Sequence, residues 1–256
     1  MNTRLRHSSV WLARPELRPE PRDLLFCFPY AGGGTEIFRG WGTRLKPSIE
    51  PVLIQLPGRG ARLREPCIKD MEALAKELAG ALYPALDRPF AFFGHSMGAL
   101  IAFAVTRRLE RRGISPKRLF LSCCPAPQLM RERPNAASMS DSELITYLHA
   151  LGGTPLEVFD HPELLDIVLP TVRADLEMID SYELEPGPSL RCPLSLCYGL
   201  DDASTPPEII EPWSVHTAGG STLRGFAGTH YFINTPPPSL FDWIVTDLEA
   251  SEPQQR

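Results

Sequence analysis

The sequence predicts an α/β fold with a mainly parallel central sheet and helices on both faces. Short apolar runs of strand length alternate with segments of helical period along much of the chain. Continuous apolar strands are typical of parallel sheets, because helices cover both faces of such a sheet. The chain has 256 residues, of which 43% are hydrophobic, and we expect one domain over residues 1–256 with a sizeable core.

Six apolar segments are predicted to be strands. They are residues 24–28, 52–56, 90–93, 118–123, 194–198 and, more weakly, 221–226. The first 22 residues are predicted to be a loosely ordered lead-in, with Trp11 and Leu12 as an anchor on the body of the protein.

Helices are predicted between these strands and after the last of them. Residues 70–86 carry apolar side chains on one face, and residues 98–112 end at Gly113 as a C-cap. Residues 239–249 form a terminal helix with an apolar inner face.

The interval between the fourth and fifth strands breaks this alternation, because it has helical patterns and no strand. A helix is predicted from Ser140, whose capping box is completed by Glu143, to Leu151. A second is predicted over about 162–182, interrupted at Pro170.

A helical insertion of this size, placed over the carboxyl ends of parallel strands, is typical of a lid. We place this lid segment at about 125–190 and expect Leu144, Leu148, Leu164 and Leu169 on its apolar faces.

The composition excludes several classes of protein. A net charge of -5 and an isoelectric point near 5.7 argue against a nucleic-acid binder. No apolar run approaches a membrane span and no signal peptide is recognisable, so we expect a cytoplasmic protein that does not bind membranes. The six cysteines show no C-x-x-C spacing, which predicts buried thiols and neither a metal site nor a cofactor.

The most informative segment is Gly94-His95-Ser96-Met97-Gly98, which lies between a predicted strand and a predicted helix. This is the context of a nucleophile elbow, in which the serine occupies a sharp turn that the flanking glycines allow. We therefore predict Ser96 as a nucleophile. His95 beside it is expected to pack or to form a hydrogen bond.

A serine nucleophile needs a base, and in this arrangement the order along the chain is serine, acid, histidine. His230 is the preferred base, because it follows a predicted strand in the loop Gly225–His230. His149, His161 and His216 are expected to be solvated or to have packing roles.

The acid is expected after the strand at 194–198, where Gly199-Leu200-Asp201-Asp202 offers two carboxylates. The G-x-x-D spacing from Gly199 favours Asp202, and Asp201 is the alternative. In this interpretation His230 takes the serine proton and Asp202 holds the imidazole in the correct tautomer.

Two backbone N–H groups are expected to form an oxyanion hole. One belongs to Met97, directly after the nucleophile. The other belongs to Ala31, or alternatively Tyr30, in the glycine-rich segment after the first strand. The glycine spacing does not match the phosphate-binding patterns G-x-G-x-x-G or Walker A.

Four segments together resemble the signatures of type II thioesterases, the stand-alone editing hydrolases of polyketide and nonribosomal-peptide synthases. They are Phe28–Gly33, Gln55–Arg59, Arg88–Leu100 and Leu151–Pro155. The resemblance spans about residues 11–243 and departs from the family at Tyr30, where a histidine is usual.

The resemblance implies an α/β-hydrolase fold with Ser96, Asp202 and His230 as the catalytic residues and Met97 and Ala31 as oxyanion donors. It implies a substrate that is an acyl thioester on the phosphopantetheine arm of an acyl or peptidyl carrier protein. An esterase or lipase acting on oxygen esters, an acyltransferase and a non-catalytic binding protein are the alternatives.

Carrier proteins of such systems are typically acidic, so a basic surface near the site would favour docking. The candidates are Arg59, Arg62 and Arg64, which follow the second predicted strand. Arg59 could instead hold its own loop.

Overall fold

The fold is built around one mixed sheet. The computed structural model describes residues 9–132, 135–151 and 162–250, and within them the sheet has seven strands in the order β1-β3-β2-β4-β5-β6-β7. The strands are β1 (Leu12–Ala13), β2 (Asp23–Phe28), β3 (Ile49–Ile54), β4 (Phe90–His95), β5 (Leu119–Ser122), β6 (Leu194–Gly199) and β7 (Ser221–Phe226). Strands β2 to β7 are parallel, and β1 pairs antiparallel with β3.

Helices cover both faces of the sheet, as the sequence predicts. In the described residues they are α1 (Trp41–Arg44), α2 (Met71–Leu82), α3 (Met97–Glu110), α4 (Asp141–Leu151), α5 (Pro162–Asp180), α6 (Pro207–Ile210) and α7 (Pro238–Ala250). Short 3₁₀ turns lie at Thr35–Phe38, Gly60–Arg62, Tyr83–Ala85, Pro127–Glu132, Ala136–Ser138, Glu211–His216 and Phe232–Asn234. None of the helices in these ranges combines the length and apolar character that a bilayer span requires.

The buried side chains form one cluster on each face. Helices α2 and α3 pack on one face together with residues of α4 and α5, and α1 and α7 pack on the other. Strands β2, β3 and β4 are buried along their whole length, which explains their continuous apolar runs.

The six predicted strands are all present. In most of them the first or last residue differs from the prediction, because the local apolar pattern does not fix where a strand ends. Strand β3 begins at Ile49 and ends at Ile54, so the apolar Leu56 lies beyond the sheet although it is buried. Strand β1 was not predicted, because two residues carry no periodic signal. It pairs Leu12 with Ile54, which agrees with the expected anchor at Trp11 and Leu12.

Two details of the helices bear on the predictions. The capping box of α4 is present, since Ser140 N–H donates to Glu143 Oε2 at 2.8 Å and Glu143 N–H donates to Ser140 Oγ at 3.3 Å. The predicted interruption at Pro170 is wrong, because α5 continues through it. The proline removes one backbone hydrogen bond, and the buried residues after it keep the helix packed.

Candidate active site

The turn between β4 and α3 has the geometry of a nucleophile elbow. Ser96 has φ 53° and ψ -118°, a conformation that side chains rarely adopt outside such turns. A Cβ at Gly94 would lie 2.2 Å from the carbonyl oxygen of Gly98, and one at Gly98 would lie 2.2 Å from that of Phe28. Both glycines are therefore required for the helix to approach the strands so closely.

The serine hydroxyl contacts the predicted base directly. Ser96 Oγ lies 3.1 Å from His230 Nε2, and His230 Nδ1 lies 2.7 Å from Asp202 Oδ2. His230 and Asp202 are both buried, so the contact between them is shielded from water, whereas Ser96 is half-buried and faces the cavity. The three residues come from the ends of β4, β6 and β7, which meet at the carboxyl edge of the sheet.

Asp202 is held as an ionised acceptor. Burial tends to raise its pKa, but the hydrogen bond and charge of His230 and the hydroxyls of Ser204 and Thr205 outweigh this, and the net pKa shift is downward. Ser204 donates to Asp202 Oδ1 through its amide at 2.9 Å and its hydroxyl at 2.6 Å, and Thr205 donates to Oδ2. Sequence reasoning missed Ser204 and Thr205, although hydroxyl side chains two and three residues after the acid are a usable signal.

Asp201, the alternative acid, faces away from the imidazole. Its side chain is exposed and accepts a hydrogen bond from the Gly228 amide at 3.2 Å. It therefore braces the loop that carries His230 without touching the ring.

Three further histidines of the described residues, His95, His149 and His216, have no hydrogen bond to the serine hydroxyl. His95 is buried, its Nδ1 is 2.8 Å from Ser122 Oγ, and its ring packs edge-on against the His230 ring at 5.4 Å. Burial holds its pKa well below the usual range, so it stays neutral. His216 bonds Gln128 at 2.6 Å, His149 is exposed on α4, and His161 lies outside the described residues.

The loop after β2 leaves the Ala31 amide as a candidate oxyanion donor. The Gly32 amide donates to Asp175 Oδ2 at 2.7 Å, and the Gly33 amide donates to the Tyr30 carbonyl at 3.0 Å. Ala31 lines the same cavity as Ser96. Met97, the second predicted donor, is the first residue of α3, where a helix amide has no intrahelical acceptor.

The side chain of Tyr30 contacts two residues of the loop that follows His230. Its hydroxyl donates to Asn234 Oδ1 at 3.0 Å, and its ring packs edge-on against Tyr231. The tyrosine at this position therefore links the loop after β2 to the loop that follows His230.

Ser96 and His230 open into a cavity of about 390 Å³. Its wall is mainly apolar and comes largely from the lid segment, with Leu129, Tyr147, Leu148, Val172, Leu176 and Ile179. Leu148 and Leu169 are buried as expected, whereas Leu164 is 40% exposed. The expectation for Leu164 is wrong, because it lies on the outer side of α5.

Two of the three predicted docking arginines are buried in ion pairs. Arg59 pairs with Asp175 at 2.6 Å, and Arg62 pairs with Glu65 at 2.6 Å while its guanidinium stacks over the Trp11 ring at 4.0 Å. A docking role is therefore wrong for Arg62, and for Arg59 the alternative holds, since its Nε donates to the Pro57 carbonyl of its own loop at 3.4 Å. Arg64 is exposed.

The cysteines are free, as predicted, and five of the six are buried, Cys67 being partly exposed. Cys123, which has φ 47°, offers a sulfur within 4.8 Å of ligand atoms of Asp202 and His230. These are donor types that zinc uses. However, Asp202 and His230 already bond to each other, and burial raises the pKa of the Cys123 thiol, which keeps it protonated.

A mainly parallel sheet with a serine elbow, followed along the chain by an aspartate and then by a histidine that contacts both the serine and the aspartate, defines the α/β-hydrolase class. Residues 23–248 match the family model described as the thioesterase domain. The chain belongs to this family of thioester hydrolases.

Several relatives cover nearly the whole chain. A Brevibacillus parabrevis protein named linear gramicidin dehydrogenase LgrE is 37% identical, covering 94% of each chain. Thioesterase PikA5 of Streptomyces venezuelae is 34% identical over 89% of this chain and 81% of its own. The solved structure of the type II thioesterase BorB from the borrelidin biosynthetic cluster matches with a TM-score of 0.86 and 36% identity, over 94% of this chain and 99% of that one.

Proposed function

We propose that the protein hydrolyses acyl thioesters carried on the phosphopantetheine arm of acyl or peptidyl carrier proteins, and so edits stalled or aberrant acyl groups in polyketide or nonribosomal-peptide synthesis. The observation that carries this proposal is the contact chain Ser96–His230–Asp202 at the mouth of an apolar cavity. Membership of the thioesterase family and the similarity to the thioesterases PikA5 and BorB support it.

In the proposed mechanism Ser96 is the nucleophile. His230 Nε2 accepts the hydroxyl proton as Ser96 Oγ bonds to the thioester carbon, and the carbonyl electron pair moves onto oxygen. The amides of Met97 and Ala31 donate to this oxyanion. When the carbonyl re-forms, the carbon–sulfur bond breaks and His230 protonates the leaving thiolate.

Water completes the turnover in the same site. His230 removes a proton from water as its oxygen bonds to the acyl carbon, and the ester bond to Ser96 then breaks with the proton returned to Oγ. Asp202 stays ionised throughout and stabilises the imidazolium at its Nδ1 side.

The cavity suits an acyl chain. Its wall of leucine, isoleucine and valine side chains buries apolar surface, which favours a hydrocarbon tail over a polar one. In this proposal residues 125–190 act as the lid of the single domain and select the chain by its length. In the same proposal the carrier protein docks on the enzyme surface outside the cavity. The enzyme and the synthase are then both in the cytoplasm.

Hydrolysis fits the side chains better than the hydride transfer that the name of LgrE suggests. A hydroxyl, an imidazole and a carboxylate in this order perform nucleophilic acyl transfer. An oxygen esterase would use the same groups, so substrate preference has to be measured.

The test is mass spectrometry of an acyl-loaded carrier protein before and after incubation with the enzyme. We expect loss of the acyl mass, a free thiol on the carrier and free acid, with Ser96→Ala as the inactive control. Faster turnover of p-nitrophenyl esters than of acyl-N-acetylcysteamine thioesters would favour an esterase. Transfer of the acyl group to a second carrier would favour an acyltransferase, and absence of labelling by a fluorophosphonate would contradict a serine enzyme.

A further inference from the structure

A carboxylate on lid helix α5 bonds directly to the loop that carries the proposed oxyanion donor. Asp175 Oδ2 accepts from the Gly32 amide at 2.7 Å, across 143 residues of sequence. Gly32 directly follows Ala31, so the bond fixes the peptide unit next to the donor. The mechanism proposed above does not use Asp175.

Arg59 completes this connection from a third segment. Its guanidinium makes two parallel hydrogen bonds to Asp175, Nη1 to Oδ2 at 2.6 Å and Nη2 to Oδ1 at 2.7 Å. Nη1 also donates to the Gly33 carbonyl at 3.2 Å. The loop at 32–33 is therefore held through both an amide and a carbonyl.

The pair is built into the interior. The Arg59 side chain is 10% exposed and that of Asp175 is 2% exposed, so water does not compete for these bonds. Burial tends to lower the pKa of Arg59, but the hydrogen bonds and charge of Asp175 outweigh it and the net pKa shift is upward. A bidentate pair of this kind fixes direction as well as distance.

Close packing reinforces the same junction. Gly32 has φ 78°, and a Cβ there would lie 2.6 Å from Val172 Cγ2 on α5. Thr171 on the same helix donates to the Gly58 carbonyl at 2.9 Å. Val172, Leu176 and Ile179 line the acyl cavity, so one helix supplies both the cavity wall and the support of the loop.

We infer that Asp175 and Arg59 are positioning residues that hold the loop after β2 with the Ala31 amide directed at the reacting carbonyl, so that helix α5 supports the oxyanion hole without donating to it. The inference rests on the proposed function. It also distinguishes the two lid helices, because α5 bonds to the Gly32 amide through Asp175 and to the Gly58 carbonyl through Thr171, whereas Asp141 of α4 bonds to Arg173 of α5.

The test compares Asp175→Asn and Arg59→Lys with Glu177→Gln. Glu177 is the matched control, because it lies on the same helix and pairs with Lys69 at 2.7 Å, but on the surface. For each variant kcat and KM are measured on a short acyl-N-acetylcysteamine thioester, together with the thermal midpoint. The affinity of an alkyl trifluoromethyl ketone is also measured, because its adduct with Ser96 places an oxyanion in the same hole.

Loss of a well-placed oxyanion donor costs roughly 10²–10³ in kcat, and misdirection of one should cost part of that, about 10- to 100-fold. We expect Asp175→Asn and Arg59→Lys to lower kcat and ketone affinity by the same factor, with KM changed less than about twofold. Glu177→Gln should leave kcat, KM and the ketone affinity unchanged.

Folded Asp175→Asn and Arg59→Lys enzymes with wild-type kcat and ketone affinity would overturn the inference, as would a loss confined to KM. Asp175→Asn removes the charge of a buried pair and is the variant at greater risk of unfolding. If it does not fold, Arg59→Lys decides, because it keeps the positive charge and a donor to Asp175. Failure of the proposed function looks different, since the wild-type enzyme would then not hydrolyse the thioester.

Discussion

Ser96 Oγ lies 3.1 Å from His230 Nε2, although 134 residues separate the two along the chain. The contact arises because β4 and β7 run parallel and both end at the carboxyl edge of the sheet. The elbow lifts Ser96 above that edge, and the loop after β7 brings His230 back to it.

Ser96→Ala should fold normally and lose nearly all turnover. Removal of the nucleophile from such a set of residues costs on the order of 10⁴–10⁶ in kcat. The measurement is hydrolysis of an acyl-N-acetylcysteamine thioester, with circular dichroism and the thermal midpoint as controls of folding. More than about a tenth of wild-type activity would contradict the role of Ser96.

Asp202→Asn should damage the enzyme far more than Asp201→Asn. Of the two aspartates, Asp202 is the one that bonds to the imidazole, at 2.7 Å, and an amide there favours the wrong tautomer of His230. We expect kcat to fall by about 10⁴ for Asp202→Asn and by less than about tenfold for Asp201→Asn. The reverse order would assign the acid to Asp201.

Leu176→Phe should shorten the accepted acyl chain. The larger ring would fill part of the cavity of about 390 Å³, so kcat/KM should fall for long acyl thioesters and stay nearly unchanged for the acetyl thioester. Leu164→Phe is the matched control, because Leu164 lies on the same helix but is 40% exposed. An equal effect of both variants, or of Leu176→Phe on all chain lengths, would contradict this use of the cavity.

Helix α4 should move more readily than the sheet. Its amides are expected to exchange hydrogen faster than those of β4 in the free protein, and more slowly once a long-chain phosphonate has reacted with Ser96. Helix α5 should be better protected than α4, because Asp175 and Thr171 tie it to two loops. Protection of α4 equal to that of β4, without change on labelling, would exclude a mobile lid.

Arg64→Glu should weaken docking of an acidic carrier protein. Of the three arginines in this loop, Arg64 is exposed, whereas Arg59 and Arg62 are buried. We expect kcat/KM to fall about three- to tenfold on an acyl-carrier protein but not on a small thioester, with the difference reduced by added salt.

The control for this variant is Arg112→Glu, which makes the same charge change at an exposed residue beyond the far end of α3. Helix α3 has 14 residues, and at about 1.5 Å per residue Arg112 lies on the order of 20 Å from the elbow. Equal losses for both variants would indicate a non-specific effect of charge.

Much of the fold could be predicted because its signals are local. Strand β2 is recognisable as a continuous apolar run, because both of its faces are buried. Helix α2 is recognisable as an apolar stripe, because one of its faces is buried. The elbow is also local, because a serine at φ 53° between β4 and α3 needs glycines two residues away on either side.

Other features depend on partners that are distant in sequence. Strand β1 forms because β3 offers an edge, and no pattern within its own two residues predicts it. Arg59 and Arg64 are the same residue type in one loop, yet Arg59 is buried because Asp175, 116 residues away, neutralises it.

By itself, then, the sequence determined the α/β class, the strand and helix segments and the position of the elbow, because each follows from backbone preference and burial over a few residues. Only the tertiary structure decided that Asp202 faces the imidazole while Asp201 faces Gly228, and that α5 supports the loop after β2. These outcomes depend on the direction of single side chains toward segments far away in sequence, and that direction exists only once the sheet and the lid segment have packed together.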